Sequence, residues 1–329
     1  MSLKSCVTDL DISYGDHLVN LGNINETPAG DYLLKYSPDG SWGLETDNVP
    51  GNFTGVIKYP MAYGITNMRI LANRTDEDVD AVLELQKGFK IRPVPRLGQE
   101  PIAPALDLAM FNETQYNDGH DQGDGFFQDV LRVAAKLEPY CPTYVVKDRK
   151  MVEQRLQNAG FRDEKWTQPL GTNLTGAVDF ANKTSMAASI KNSHPVGNNW
   201  SLVDEEYFGR YNSHYDTRFT VASFGYLGMT AEQSLYPANN QILDLEEGEA
   251  VMFTFTEPPR ISEKGFWSLT AYGPDQDLIE NKLKRYSIGN QDEITFPDGT
   301  PVTEDSDQKE FQILLQPTDM EPPEDWMSK

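Results

Sequence analysis

The side chains best able to move protons or hold an oxygen atom are concentrated between Asp204 and Met229, where the chain reads DEEYFGRYNSHYDTRFTVASFGYLGM. Within it Tyr211, His214, Tyr215, Asp216 and Arg218 supply an acid, a base and hydrogen-bond donors over eight residues. On a strand, His214, Asp216 and Arg218 share one face, and Tyr211, Tyr215 and Phe219 share the other. On a helix, Tyr211, His214, Tyr215 and Arg218 come together instead. In the catalytic reading Asp216 orients His214, and Arg218 with Tyr211 polarises a carbonyl or enolate oxygen. The alternative is an arginine tied to an aspartate as structural glue.

A second set is aromatic. Trp267, Tyr272, Tyr286, Tyr236 and Phe219 are candidates for the wall of an apolar pocket, with core packing as the competing explanation. Lys282, Lys284 and Arg285 gather positive charge, either for an anionic ligand or as one solvated helix face. The loop containing Asp118, His120, Asp121 and Asp124 is similar to a calcium loop but has no glutamate at the closing position, so no metal site is expected. No glycine-rich phosphate loop, Gly-x-Ser-x-Gly elbow or His-Glu-x-x-His motif occurs, and no cofactor is expected.

Composition narrows the partners. With 28 Lys+Arg against 51 Asp+Glu, the formal net charge is −23, which repels nucleic acid and anionic membranes. The expected partner is a small apolar substrate, and oligomers are compatible with the composition. The mean hydropathy of −0.55 and the lack of an eighteen-residue apolar run describe a soluble chain. Seven sequons, at Asn25, Asn52, Asn73, Asn112, Asn173, Asn182 and Asn199, exceed what the composition gives by chance. They point to a secretory route ending outside the cell or in the endomembrane lumen. On that route Cys6 and Cys141 would form a disulfide. The opening residues lack the apolar core of a signal peptide, so a leader is expected to have been removed.

The elements that must position these groups are mostly strands. Alternating apolar and polar residues predict strands over 251–256, 266–272 and 311–315, with a hairpin turn at 296–300. Helices are predicted after Thr75, over 126–137 and after Asp148, while 171–199 reads as polar surface chain. The fold expected is mainly β (α+β): two β-sandwich or barrel-like domains at 1–100 and 166–329, joined by a helical connector at 101–165.

The N-terminal segments Tyr14-Gly15, Asn20-Leu21-Gly22 and Ala29-Gly30-Asp31-Tyr32-Leu33-Leu34 resemble domain of unknown function 1254. Phe208-Gly209-x-Tyr211, Arg218, Gly225-Tyr226-Leu227, Tyr236-Pro237, Phe266-Trp267-Ser268-Leu269-Thr270 and Arg285-Tyr286-Ser287-Ile288-Gly289 resemble domain of unknown function 1214. Asn212 departs from that pattern, where a glycine is expected. The resemblance extends to sequon-rich fungal members and implies a cofactor-independent lyase/cyclase of natural-product biosynthesis. The implied reaction is a dehydration followed by a hetero-Diels–Alder cycloaddition of tropolone- and sesquiterpene-type substrates. A non-catalytic binding protein for a small molecule or glycan, and a hydrolase, are the alternatives.

Overall fold

The computed structural model describes residues 5–23, 25–72, 75–95, 102–107, 110, 124–239, 241, 243–246, 248–262, 265–274, 277–296, 298–303, 305–307, 309–317 and 320. Six strands come first: β1 (Ser5–Ile12), β2 (His17–Gly22), β3 (Tyr32–Tyr36), β4 (Gly43–Glu45), β5 (Gly55–Tyr59) and β6 (Gly64–Leu71). Helices α1 (Asp76–Gln86), α2 (Asp124–Leu137) and α3 (Arg149–Asn158) follow, then β7 (Phe161–Arg162) and β8 (Lys165–Trp166). After α4 (Leu174–Lys191) come β9 (Ser193–Gly197), β10 (Trp200–Val203), α5 (Tyr215–Phe224) and β11 (Ala238–Asn239). The last strands are β12 (Val251–Phe255), β13 (Ser268–Leu269), β14 (Ile288–Gly289) and β15 (Phe311–Leu315). The class is mixed α+β, and among the described residues no helix is long and apolar enough to cross a membrane.

Two compact units result, cut differently from the sequential domains expected. The larger comprises Val7–Met68 with Val94–Asn240, and the smaller Met1–Cys6, Arg69–Pro93 and Gln241–Lys329. The stretch expected to be a connector thus packs with the N-terminal strands. In the larger unit, β1 pairs antiparallel with β2, with a register shift between Leu10 and Asp11. The β3-β5-β4 sheet pairs β3 parallel to β5 and β4 antiparallel to it. Leu10, Ile12, Leu18, Val19, Ile57, Tyr59, Met61, Cys141 and Tyr144 form the main core. A second cluster sets the apolar stripe of α2, at Phe127, Leu131 and Ala135, against Phe161, Trp166 and Leu174.

In the smaller unit β12 pairs in register with β15, and Phe255 stacks on Phe311 at 4.7 Å between ring centroids. The two signature segments of this half meet each other: Ser268 pairs with Gly289 and Leu269 with Ile288. Gly289 is required there, because a Cβ would lie 2.0 Å from the Trp267 carbonyl oxygen. Of the strand expected over 266–272, Ser268–Leu269 forms a paired strand and Tyr272 makes an isolated antiparallel bridge to Leu278.

Thr75 caps α1 as expected, its hydroxyl accepting from Asp78 N–H at 3.3 Å. Asp148 precedes α3 without capping it, since its carboxylate accepts from the Tyr215 hydroxyl instead. The chain at 171–199 differs from expectation by forming the eighteen-residue α4, capped by Asn173 through Gly176 N–H. Its many Ser, Thr, Asn and Gly residues conceal the helix from propensity. Lys282, Lys284 and Arg285 lie in a turn rather than on a helix. There the Asn281 side chain bonds both the N–H and the carbonyl of Arg285.

Candidate functional site

The densest buried set of ionisable groups hangs on the β1–β2 hairpin. The turn closes through Ile12 N–H to the Asp16 carbonyl and Gly15 N–H to the Ile12 carbonyl, at 3.0 and 2.9 Å. Asp11 and His17 are register partners across it. His17 Nδ1 lies 3.0 Å from Asp11 Oδ1, with both side chains 1% exposed. A carboxylate can only accept, so Nδ1 is the donor to Asp11, and in the neutral tautomer that allows this bond the lone pair lies on Nε2. Among the described residues Nε2 is buried with no hydrogen-bond partner, as is Asp11 Oδ2. The backbone holds the ring in place: His17 N–H donates to the Gly209 carbonyl at 2.6 Å, and its own carbonyl accepts from Arg210 Nε at 3.1 Å.

Beside the dyad lies a buried ion pair. Arg218, on α5, places Nε 2.7 Å from Asp16 Oδ2 and Nη2 3.4 Å from Oδ1. The Nε contact is Coulombic, because its N–H is not aimed along it. Nη2 also donates to the Asn212 carbonyl at 2.9 Å. The guanidinium lies 4.9 Å from the Tyr215 ring centroid, 5.5 Å from Tyr14 and 5.9 Å from Tyr144, which gives it three cation–π neighbours. Asp16 Oδ1 also accepts from Tyr144 Oη and Tyr211 N–H, each at 2.8 Å. Burial pushes the phenols of Tyr14, Tyr59, Tyr144 and Tyr211 well above their ordinary range. The Asp16 charge adds to the rise at Tyr144 and Tyr211. These tyrosines are therefore neutral, and of them Tyr59 donates to the Asp11 carbonyl and Tyr144 to Asp16.

The loop into α5 explains the departure at Asn212. Its φ is +50°, the left-handed region, where asparagine is the usual substitute for glycine. In that conformation its N–H meets Tyr144 Oη at 3.1 Å and its carbonyl meets Arg218. Gly209, at φ +63°, is more constrained still: a Cβ there would meet the Met229 carbonyl at 2.8 Å.

Of the residues expected to do chemistry, Arg218 and Tyr211 join this cluster, Tyr211 through its backbone. His214 and Asp216 stay exposed outside it. His214 packs edge-on against Tyr207, and Asp216 accepts from Thr217 N–H at 2.8 Å. Nor do the aromatic candidates share one wall. Trp267 packs on Phe255 and Phe311 in the core of the smaller unit, where Tyr272 is exposed and Tyr286 is half-buried near Glu280. In the larger unit Tyr236 stacks on Phe208, and Phe219 is exposed. A polar surface groove of about 450 Å³ beside Gln157, Arg162 and Lys165 does not include the buried cluster.

Cys6, in the smaller unit, and Cys141, in the larger, are both thiols here. Cys141 is buried with Sγ 3.3 Å from Ser13 Oγ, and burial raises its pKa, which keeps it a thiol. The sequon asparagines 25, 52, 173, 182 and 199 are exposed, whereas Asn73, Asn112 and the Asp118–Asp121 loop lie outside the described residues. Sequence reasoning missed Asp9, Asp11, Asp16, His17, Tyr14 and Tyr144. One usable signal existed, since His17 follows Asp11 by six positions around Tyr14-Gly15, the spacing of a tight hairpin that sets them opposite one another.

Two family models match the two ends of the chain. Residues 5–93 match the model for a protein of unknown function (DUF1254), and residues 238–328 match that for a protein of unknown function (DUF1214). The chain belongs to the family that carries these two domains in tandem. Among solved structures it is similar to the VPA0106 protein from Vibrio parahaemolyticus, with a TM-score of 0.51 and 17% identity over 95% of this chain and 78% of that one. At that identity the likeness concerns the fold alone. No curated protein matches the chain.

Proposed function

We propose that the protein is a cofactor-independent acid–base catalyst acting on a small apolar molecule, a lyase/cyclase whose base is His17. The finer assignment is a dehydration followed by hetero-Diels–Alder ring closure of tropolone- and sesquiterpene-type partners in fungal natural-product biosynthesis. The observation that supports it is the buried Asp11–His17 dyad, with Nδ1 held by the carboxylate and Nε2 unpartnered. A base in that setting takes a hydroxyl proton from the substrate while a C–O bond breaks on the same molecule. The departing hydroxide regains the proton from the imidazolium and leaves as water, so no oxidant or reductant is required. The cycloaddition then forms one C–C and one C–O bond without further proton transfer. In this reading Arg218 is not a free oxygen-binding donor, since Asp16 and the Asn212 carbonyl already engage it; it positions the hairpin that carries the dyad. Secretion belongs to the same reading, with the five described sequon asparagines exposed to a glycosylating enzyme.

The test uses protein from a eukaryotic secretory host, whose mass should fall on N-glycan removal. It is incubated without added cofactor with a hydroxymethyl tropolone and a sesquiterpene alkene, and products are followed by mass spectrometry. Cycloadduct should form above the uncatalysed rate. His17→Asn, which keeps a donor towards Asp11 but removes the Nε2 base, should lower that rate by roughly 10²–10⁴-fold in protein that circular dichroism shows to be folded at the assay temperature. Saturable binding of either compound with no product sinks the proposal and supports the non-catalytic binding protein instead.

A further inference from the structure

The side chains of His17 and Asp11 are each 1% exposed, so a substrate reaches Nε2 only after something covering the dyad has moved. The segment that follows α5, Gly225-Tyr226-Leu227-Gly228-Met229, is placed to do this. Tyr226 is 40% exposed and lays its ring on the hairpin turn, where a Cβ on Gly15 would stand 3.0 Å from Cε2. Its hydroxyl donates to the Ser13 carbonyl at 3.0 Å. Burial raises the Tyr226 phenol and the Asp11 charge adds to the rise, which sets that phenol near the dyad. Gly228 passes Tyr211, since a Cβ there would lie 3.7 Å from the phenol oxygen. The Met229 backbone abuts Gly209, whose own carbonyl accepts from His17 N–H.

The backbone of this segment is strained between two flexible points. Leu227 sits at φ +69°, in the left-handed region that a bulky side chain rarely adopts, with a glycine on one side and Tyr226 beyond Gly225 on the other. Strain of that kind persists only where surrounding contacts hold it, and it is relieved once they let go. We propose that residues 225–229 form a strap over the Asp11–His17 dyad, latched by Tyr226, which lifts to admit a small apolar substrate and closes behind it. Closure keeps water from an electrophilic intermediate formed by dehydration. The purpose of the strap rests on the reading of His17 as the base; its movement does not, and the two are tested apart.

Diethyl pyrocarbonate acylates an imidazole nitrogen that carries a lone pair, so its rate at His17 in the full chain, read by peptide mass spectrometry, reports how often the strap lifts. Exposed His214 of the same chain is the internal standard. In wild type His17 should react roughly 10- to 1,000-fold more slowly than His214, as for a lifted state populated at ~0.1–10%. Tyr226→Phe keeps the ring and removes only the latch, and should speed His17 roughly fivefold, the effect of one hydrogen bond. Gly228→Ala, whose Cβ would make only ordinary contacts at 3.6 and 3.7 Å, restricts the lifted segment and should slow His17 roughly two- to fivefold. Urea below the concentration that alters circular dichroism should leave the His17 rate unchanged, because the strap moves without the core. His17 labelling as fast as that of His214, insensitivity to both variants, or a rate that climbs with urea as global unfolding does overturns the strap. Labelling that follows the expected pattern while His17→Asn leaves cycloaddition unchanged upholds the strap and sinks the catalytic reading alone.

Discussion

Asp16→Asn is the sharpest probe of the larger unit. The aspartate is fully buried and accepts from Tyr211 N–H and Tyr144 Oη while it pairs with Arg218. At the 2.7 Å separation, the gross attraction at an effective dielectric of 20 is roughly 332/(20 × 2.7), or about 6 kcal/mol. Most of that is offset by the desolvation of both ions. What the mutation measures is different: an amide of the same shape leaves the guanidinium buried and unneutralised, which costs about 3–5 kcal/mol. Arg218→Met should cost a similar amount by stranding Asp16. The double variant Asp16→Asn/Arg218→Met should lose less than the sum of the two, because neither charge then remains. Urea unfolding reports the three values. Trp42 is the local probe, its ring centroid lying 6.2 Å from Tyr144 and 5.0 Å from the Arg210 guanidinium. Single-variant losses below about 1 kcal/mol with no coupling between them would refute the reasoning, since an exposed pair behaves that way.

Two further outcomes follow from burial. The phenols of Tyr14, Tyr59, Tyr144 and Tyr211 are raised in the folded state, so their contribution to stability is fully present below the ordinary tyrosine pKa of about 10 and is lost as pH rises beyond it. Alkaline unfolding and tyrosinate absorbance should therefore rise in one transition; phenols that ionise well before the fold is lost would contradict their burial. Ellman's reagent should count two thiols in the denatured chain, with Cys6 reacting before Cys141 in the native one and no change in melting temperature on adding dithiothreitol. A count of zero that reductant raises would restore the disulfide.

What the sequence discloses is the part governed by local pattern. Helix α1 with its Thr75 cap, α2 before Pro139, and strands β12 and β15 are all legible, because period and capping are properties of neighbouring residues. The segment at 174–191 is not, since Thr175, Gly176, Asn182, Thr184, Ser185 and Ser189 interrupt its better helix formers and blur the apolar period, while the Asn173 cap is visible only in the structure. The site divides along the same line. Arg218 stands out from its neighbours, but its partner Asp16 lies 202 positions away in a hairpin whose acids read as a solvent face. In Asp9-Leu10-Asp11-Ile12 the alternation that normally separates wet from dry is present, and both faces are buried. The family resemblance supplied the glycine expectation at position 212, and only the left-handed backbone explains why asparagine can stand there.

The wide separation of those partners also sets a clock for the growing chain. The β1–β2 hairpin leaves the ribosome ahead of its partners, since Arg218 and Tyr226, which bonds the Ser13 carbonyl, come 202 and 213 positions after the groups they join. At about 5–20 residues per second, Asp16 waits on the order of 10–40 s before its charge can be neutralised in a closed core. Until then that carboxylate, destined for the interior, must stay hydrated, and the apolar strands beside it cannot close over it. Asp16 thus delays consolidation of the hairpin until the second half of the unit has emerged.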